Sequence, residues 1–400
     1  MGGPGWKVKL KAGGAAPISV LESQDHTIDV VPLEQRRSAV TMGLLWITMV
    51  TGFPTVLVGF EWFKSGITMP QMLACIAISC ALLLAYSVPA IYLGAVSGQT
   101  YGLLSRTVFG SWGSRLVSCN LVWICIGWYG LTAFFLADSL KGLFNLPIST
   151  PILSMILAVL MAVNNFFGFS GIANFARFLA APVLIGWVGF SFCKALTLCS
   201  PAVLNVPPQQ PFPYALTLVS SFVIGYASWG NEPDYWRYGK PKIGPSVVPL
   251  VISLLIGQVI FPVTGWMLAS FTGAGDYAAA TAVMNRFAFG GAPLLAAIVL
   301  TVAYVAVNDS GLYGIINALE NIREMPRKKV VAAVTVFGAF AACLLAGYGR
   351  AFESVASLSC VFLPSATVIM IAEYFLVSRW FGIPTSFARV PKFEELPAIR

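Results

Sequence analysis

The residues that could do chemistry are a few polar side chains set inside long apolar runs. The clearest group is Asn308-Asp309-Ser310-Gly311, within the run 291–318. A carboxyl group is expensive to bury there and belongs against a cavity or a partner. Asp309 could therefore hold a proton, counter a basic residue, or pin two helices together. Asn308 offers a donor and an acceptor, which suits the edge of an amide-like or base-like ligand. Trp128 stands midway along the run 116–140, with Gly127 and Gly130 beside it. Its indole N–H needs a partner at that depth. Either a planar, polar heterocycle stacks on the ring where the glycines admit it, or the indole packs between helices with a carbonyl as partner.

Other chemistries find no support. The only histidine, His26, lies in the N-terminal tail, so histidine metal sites and catalytic triads within the apolar runs are excluded. Gly168-Phe169-Ser170-Gly171 has the pattern of an intramembrane serine protease, but no base is there to activate Ser170, and a helix-end turn is expected. There is no phosphate-binding loop. The eight cysteines fall in or at the ends of apolar runs and read as small packing residues. Glu61 and Asp138 sit near an outer boundary, where water reaches them. Glu232, Asp234 and Arg237 are expected to form an internal ion pair, and Glu373 is placed to act as a gate or coupling residue.

The elements that position these residues are membrane helices. Of 400 residues, 58% are hydrophobic and 10% charged, with a mean hydropathy of +0.80; a soluble domain carries about 25% charged residues. A crossing helix needs about 20 apolar residues. That window predicts ten spans: 39–63, 69–95, 116–140, 150–168, 173–197, 214–236, 246–271, 291–318, 330–348 and 352–377. With the N-terminus in the cytoplasm, nineteen of the 24 lysines and arginines fall on the cytoplasmic side, as the positive-inside rule requires. The net charge of +8 is thus a topology signal, and no nucleic-acid partner is expected. Lipid is the expected surrounding, in a plasma or inner membrane. Residues 1–35 form a flexible tail without the apolar core of a signal peptide, and 378–400 form a second cytoplasmic tail.

Ten spans divide into halves, 36–197 and 198–377, and an odd number of crossings per half makes any repeat inverted. Span 1 carries Gly52-Phe53-Pro54; span 6 carries Gly225 and then Trp229-Gly230-Asn231-Glu232-Pro233. Proline and glycine at matching places interrupt both helices. Such breaks either line a midplane binding site or are ordinary proline kinks.

At Gly127-Trp128-Tyr129-Gly130, Asp234-Tyr235-Trp236-Arg237-Tyr238-Gly239 and Asn308-Asp309-Ser310-Gly311-Leu312-Tyr313, the sequence resembles the nucleobase–cation symporter family, in its purine and cytosine permease branch. Gly94-Ala95-Val96-Ser97-Gly98 through Arg106-Thr107-Val108-Phe109-Gly110, and Ala372-Glu373-Tyr374, carry the same resemblance. It implies an all-α fold of the leucine-transporter type, with a 5+5 inverted repeat, discontinuous helices 1 and 6, and uptake of a nucleobase by alternating access. It also implies that Trp128 stacks on the base and Asn308 bonds its edge, with Asp309 and Ser310 beside them. Gly225 and an aromatic residue, Tyr226 or Trp229, form the opposite wall, and Phe53 and Gly52 belong to the span 1 break. Asp309, Ser310, Glu373 and Gly52 are the ion-coupling candidates.

Three departures qualify the resemblance. Cys125 stands where cytosine permeases have a Gln, so one base-edge contact is lost. Ala306-Val307 stand where sodium-binding members have hydroxyl residues, which favours H⁺ over Na⁺. The family usually has twelve spans, against ten here. The expected activity is secondary-active import of a nucleobase or related planar heterocycle, without enzymatic chemistry and with no cofactor beyond the coupling ion. The competing expectations are another solute (hydantoin, allantoin, a thiamine-like compound or an amino acid) on the same fold, or a transport-inactive scaffold.

Overall fold

The Thr51-Gly52 step divides the first apolar run into α1 (Ala39–Val50) and α2 (Phe53–Lys64), bent 47° to each other. Pro54 starts α2 without loss, because its missing N–H would have no helical partner there. The freed Gly52 carbonyl accepts bonds from the Thr55 N–H (3.0 Å) and hydroxyl (2.6 Å). The structure, a computed structural model, describes residues 25–227, 230–273, 277–348, 350–382 and 389–398. Trp229 lies outside the described residues, as do residues 1–24 of the N-terminal tail and part of the C-terminal one.

A Thr68/Gln71 capping box opens α3 (Met69–Ser97), and left-handed Gly98 closes it. In α4 (Tyr101–Phe144), Gly110 adopts φ 72° and ψ −169°, an elbow between a short leading helix and the crossing that carries Trp128. Backbone N–H groups just past it, Ser111 and Trp112, bond to the carbonyls of Pro397 and Ala398. The chain continues in α5 (Thr150–Met161), a 3-10 turn (Val163–Phe167), α6 (Gly168–Phe175) and α7 (Ala181–Leu198). The second half comprises α8 (Phe212–Ala227), α9 (Pro233–Trp236), α10 (Ile243–Leu254), α11 (Phe261–Thr272), α12 (Tyr277–Phe289), α13 (Pro293–Ile322), α14 (Arg327–Leu345) and α15 (Ala351–Ala372).

Among the described residues, each of the ten predicted spans is mostly helical. Seven helical stretches among the described residues are long and apolar enough to cross a membrane, and the bent α1–α2 pair makes an eighth. The 49-residue stretch Thr150–Leu198 is interrupted at Gly168 (φ 65°, ψ −159°) and is long enough to cover the two predicted spans 150–168 and 173–197. The 16-residue α8 is short because its span is interrupted. Exposed apolar rows, such as Ile152, Ile156 and Leu160 on α5 or Val336, Phe337 and Phe340 on α14, face outward, as they must in lipid. The helix α12 lies in a stretch whose hydropathy predicts a connecting loop; it packs on α13, α4, α2 and α7.

The N-terminal segment departs from the expected flexible tail. From Asp25 onward it is tied to the bundle. Asp25 pairs with Arg327, its carboxylate accepts from the Phe169 N–H (3.0 Å), and its carbonyl accepts from Arg237 (2.9 Å) and the Tyr238 hydroxyl (2.9 Å). Arg36 donates to the carbonyls of Ala95 (2.7 Å) and Gly239 (3.0 Å). Burial, with Arg237 nearby, lowers the Arg36 pKa to about 10, which leaves it charged at neutral pH.

Candidate functional site

Trp128 is buried where α4 faces α8 and α15. Its indole N–H donates to the Ser359 hydroxyl at 2.7 Å, so the required partner is a side chain of span 10, and the ring has only its π surface left to offer. Tyr226 meets it edge to face at 5.5 Å, Phe352 likewise at 6.1 Å, and Phe222 stacks on Tyr226 at 5.1 Å. With Trp128 and Tyr226 in contact, no flat ring fits between them in this closed arrangement. The cleft beside Tyr226, lined by Trp46, Met49, Ala227 and Asn231, has room for about one water molecule.

On α13, Asn308 donates to the Met161 sulfur at 3.0 Å, and its Oδ1 is buried without a partner. Asp309 is fully buried. Asn164 donates to one carboxylate oxygen (2.7 Å) and Asn165 to the other (3.2 Å). These two asparagines are not singled out in the sequence reading; two consecutive amides inside the apolar run 150–168 are the signal that marks them. No ion pair involves Asp309 among the described residues. Ser310 bonds back to the Ala306 carbonyl (3.3 Å), while its own carbonyl accepts from Tyr235 (2.6 Å).

The breaks in spans 1 and 6 lie close together. A Cβ placed on Gly52 would sit 2.5 Å from the Tyr226 hydroxyl and 3.4 Å from Val307, so Gly52 lets spans 1, 6 and 8 meet. Phe53 is enclosed by Trp187 (5.9 Å) and Tyr304 (6.3 Å), which packs span 1 against spans 5 and 8. Gly225 abuts α15, where a Cβ would lie 2.5 Å from the Ala356 carbonyl oxygen. Gly225→Ala is therefore expected to overpack this contact at a cost of about 1–3 kcal/mol, visible as a lowered melting temperature of the purified protein. After the break, left-handed Gly230 (φ 81°) hands its carbonyl to Thr367 at 2.9 Å.

The expected ion pair after the break is replaced by a different arrangement. The Asp234 carboxylate accepts from the Tyr101 N–H (2.9 Å) and from Asn231 (3.2 Å). Arg237 donates instead to the Asp234 carbonyl (3.0 Å), to Asp25 and His26 carbonyls, and to the Tyr313 hydroxyl (2.6 Å). Backbone carbonyls, two of them from the N-terminal segment, and one tyrosine hydroxyl satisfy this guanidinium. Glu373 opens a π-helical turn and is partly buried, and neighbouring Tyr374 donates to the Leu104 carbonyl at 3.1 Å. Cys125 is buried, and all eight cysteines are free thiols. Ser170 sits at the start of α6 and accepts from Arg37 at 3.2 Å. Among the described residues, no group of His, Cys, Asp and Glu could hold a metal ion.

Comparison with known proteins agrees with this architecture. The cytosine permease of Escherichia coli (strain K12) is 26% identical over 366 residues, covering 89% of this chain and 83% of that protein. Among solved structures, Mhp1, a nucleobase-cation-symport-1 family transporter in a closed conformation with bromovinylhydantoin bound, superposes with a TM-score of 0.72 at 18% identity, covering 90% of this chain and 82% of its own. MhsT in complex with L-phenylalanine gives 0.61 at 14% identity, covering 84% and 88%. The fold is thus the all-α leucine-transporter type. Residues 30–381 match the family described as permeases for cytosine/purines, uracil, thiamine and allantoin, and the chain belongs to that family.

Proposed function

We propose that this permease imports a flat nucleobase-type heterocycle, driven by a proton gradient, with its N-terminus in the cytoplasm. The observation that carries the reading is the contact of buried Trp128 with Tyr226 at the span 6 break. Parting these two rings opens an aromatic slot at the place where two helices are interrupted. Base–aromatic stacking there contributes about 1–3 kcal/mol. The unpaired Asn308 Oδ1 supplies an acceptor for a ligand N–H. Alternating access then consists of one helix bundle rocking against the other around this slot.

Asp309 is the proton carrier in this reading. Its carboxylate is buried, held by two neutral amides and joined by no cation among the described residues. A sodium site needs several oxygen ligands; Ala306 and Val307 bring no side-chain oxygen, and the Ser310 hydroxyl is engaged with its own helix. The test is uptake of radiolabelled cytosine, uracil, adenine and hypoxanthine into proteoliposomes. An inward pH gradient should drive accumulation where a Na⁺ gradient alone does not. Strict Na⁺ dependence would overturn proton coupling, and no uptake under either gradient would overturn transport.

A further inference from the structure

Three buried polar atoms without hydrogen-bonding partners gather at the break in the first helix: Thr51 Oγ1, the Tyr226 hydroxyl and Gln258 Oε1. They come from three spans. Thr51 ends α1, Tyr226 lies in the last turn of α8, and Gln258 belongs to the π-helical stretch Leu255–Ile260 between α10 and α11. Their contacts fall on consecutive residues of span 1. Gln258 Nε2 donates to the Val50 carbonyl at 2.8 Å. A Cβ on Gly257 would lie 2.6 Å from Thr51 Oγ1, and one on Gly52 would lie 2.5 Å from the Tyr226 hydroxyl. Thr51 and Gln258 are 0% exposed and Tyr226 2%.

Packing alone gives no reason for these groups. Valine, phenylalanine and methionine fill nearly the same volumes and bury no unpaired polar atom, whereas each orphan costs stability. π-Helical insertions occur often at functional sites, and an interrupted helix at membrane depth is tolerated where it lines a cavity. The bond to Val50 also fixes the Gln258 amide. One of its two N–H groups is used there, which aims Oε1, an acceptor with no donor bonded to it among the described residues.

We infer that Thr51, Tyr226 and Gln258 form the edge-reading part of the ligand site, and that Gln258 selects a heterocycle presenting an N–H, from the ring or from an amino group. The inference rests on the transport reading above and adds the polar contacts that decide which heterocycle is accepted.

The test uses near-isosteric deletions, Thr51→Val and Tyr226→Phe, in the purified full chain. Neither hydroxyl has a partner in the ligand-free fold, so each variant should melt at or above the wild-type temperature. Each should nevertheless raise the Kd for radiolabelled cytosine, uracil, adenine or hypoxanthine (whichever wild type binds) by about tenfold or more. Gln258→Met should lose binding of the same base, and N-methylation of the base at every N–H should abolish binding to wild type. If the two hydroxyl variants bind the base as tightly as wild type, the orphans are water sites and this inference falls while the transport reading stands. A lowered melting temperature of the ligand-free variants overturns it too, because the hydroxyls would then serve the fold. If wild type binds none of the four bases, both readings fall together.

Discussion

Trp128→Ala is expected to raise the Kd for a nucleobase by about 5- to 150-fold, the equivalent of the roughly 1–3 kcal/mol that a base gains from an aromatic face. Trp128→Phe should restore most of that loss, because it returns a ring while giving up only the N–H bond to Ser359. Ser359→Ala isolates that bond and should have a smaller effect than the loss of the ring. Truncating a buried tryptophan also costs about 3–5 kcal/mol of stability, so binding is compared at equal folded fractions by equilibrium titration with labelled base. A ligand without a planar ring would lose little in Trp128→Ala beyond the change of shape. An unchanged Kd for a base would remove Trp128 from the site.

Asp309→Asn is expected to abolish proton-driven accumulation while sparing exchange of labelled for unlabelled base across the membrane. With one proton per ligand, each unit of imposed pH gradient supports about tenfold accumulation, since a pH unit is worth about 1.4 kcal/mol. In Asp309→Asn the accumulation ratio should fall to about one. The carboxamide keeps the shape and can still accept from Asn164 or Asn165, so exchange reports that the site has folded. Accumulation that survives in Asp309→Asn would move the proton carrier elsewhere, with Glu373 the next residue to test by the same measurement.

Much of the architecture was legible in the sequence, because lipid enforces a simple rule: each crossing must be helical and long enough. The ten runs and the break at Gly52-Phe53-Pro54 follow from that rule. Features that depend on backbone acceptors or on distant partners were not legible. Arg237 was expected to pair with a nearby carboxylate, yet its N–H groups go to carbonyls and a tyrosine, and carbonyls leave no trace in residue type. Trp128 finds Ser359 far along the chain, a serine that looks like any other in span 10. Thr51 and Gln258 are unremarkable in sequence and stand out only once burial shows them unpaired. The α12 helix, with 13 residues, is too short to carry the signal of a crossing.

The docking of the N-terminal segment gives the closed arrangement a chemical signature. Arg36 and Arg37 are adjacent trypsin sites, yet both guanidinium groups are engaged with the bundle and the Arg37 N–H bonds to the Tyr238 carbonyl at 2.6 Å. A protease must draw several residues into an extended strand, which this segment can supply only after it lifts away from Arg237, Tyr238 and Arg327. Tryptic nicking at Arg36-Arg37 is therefore expected to require release of this segment, and its rate becomes a clock for how often the segment lifts from the bundle.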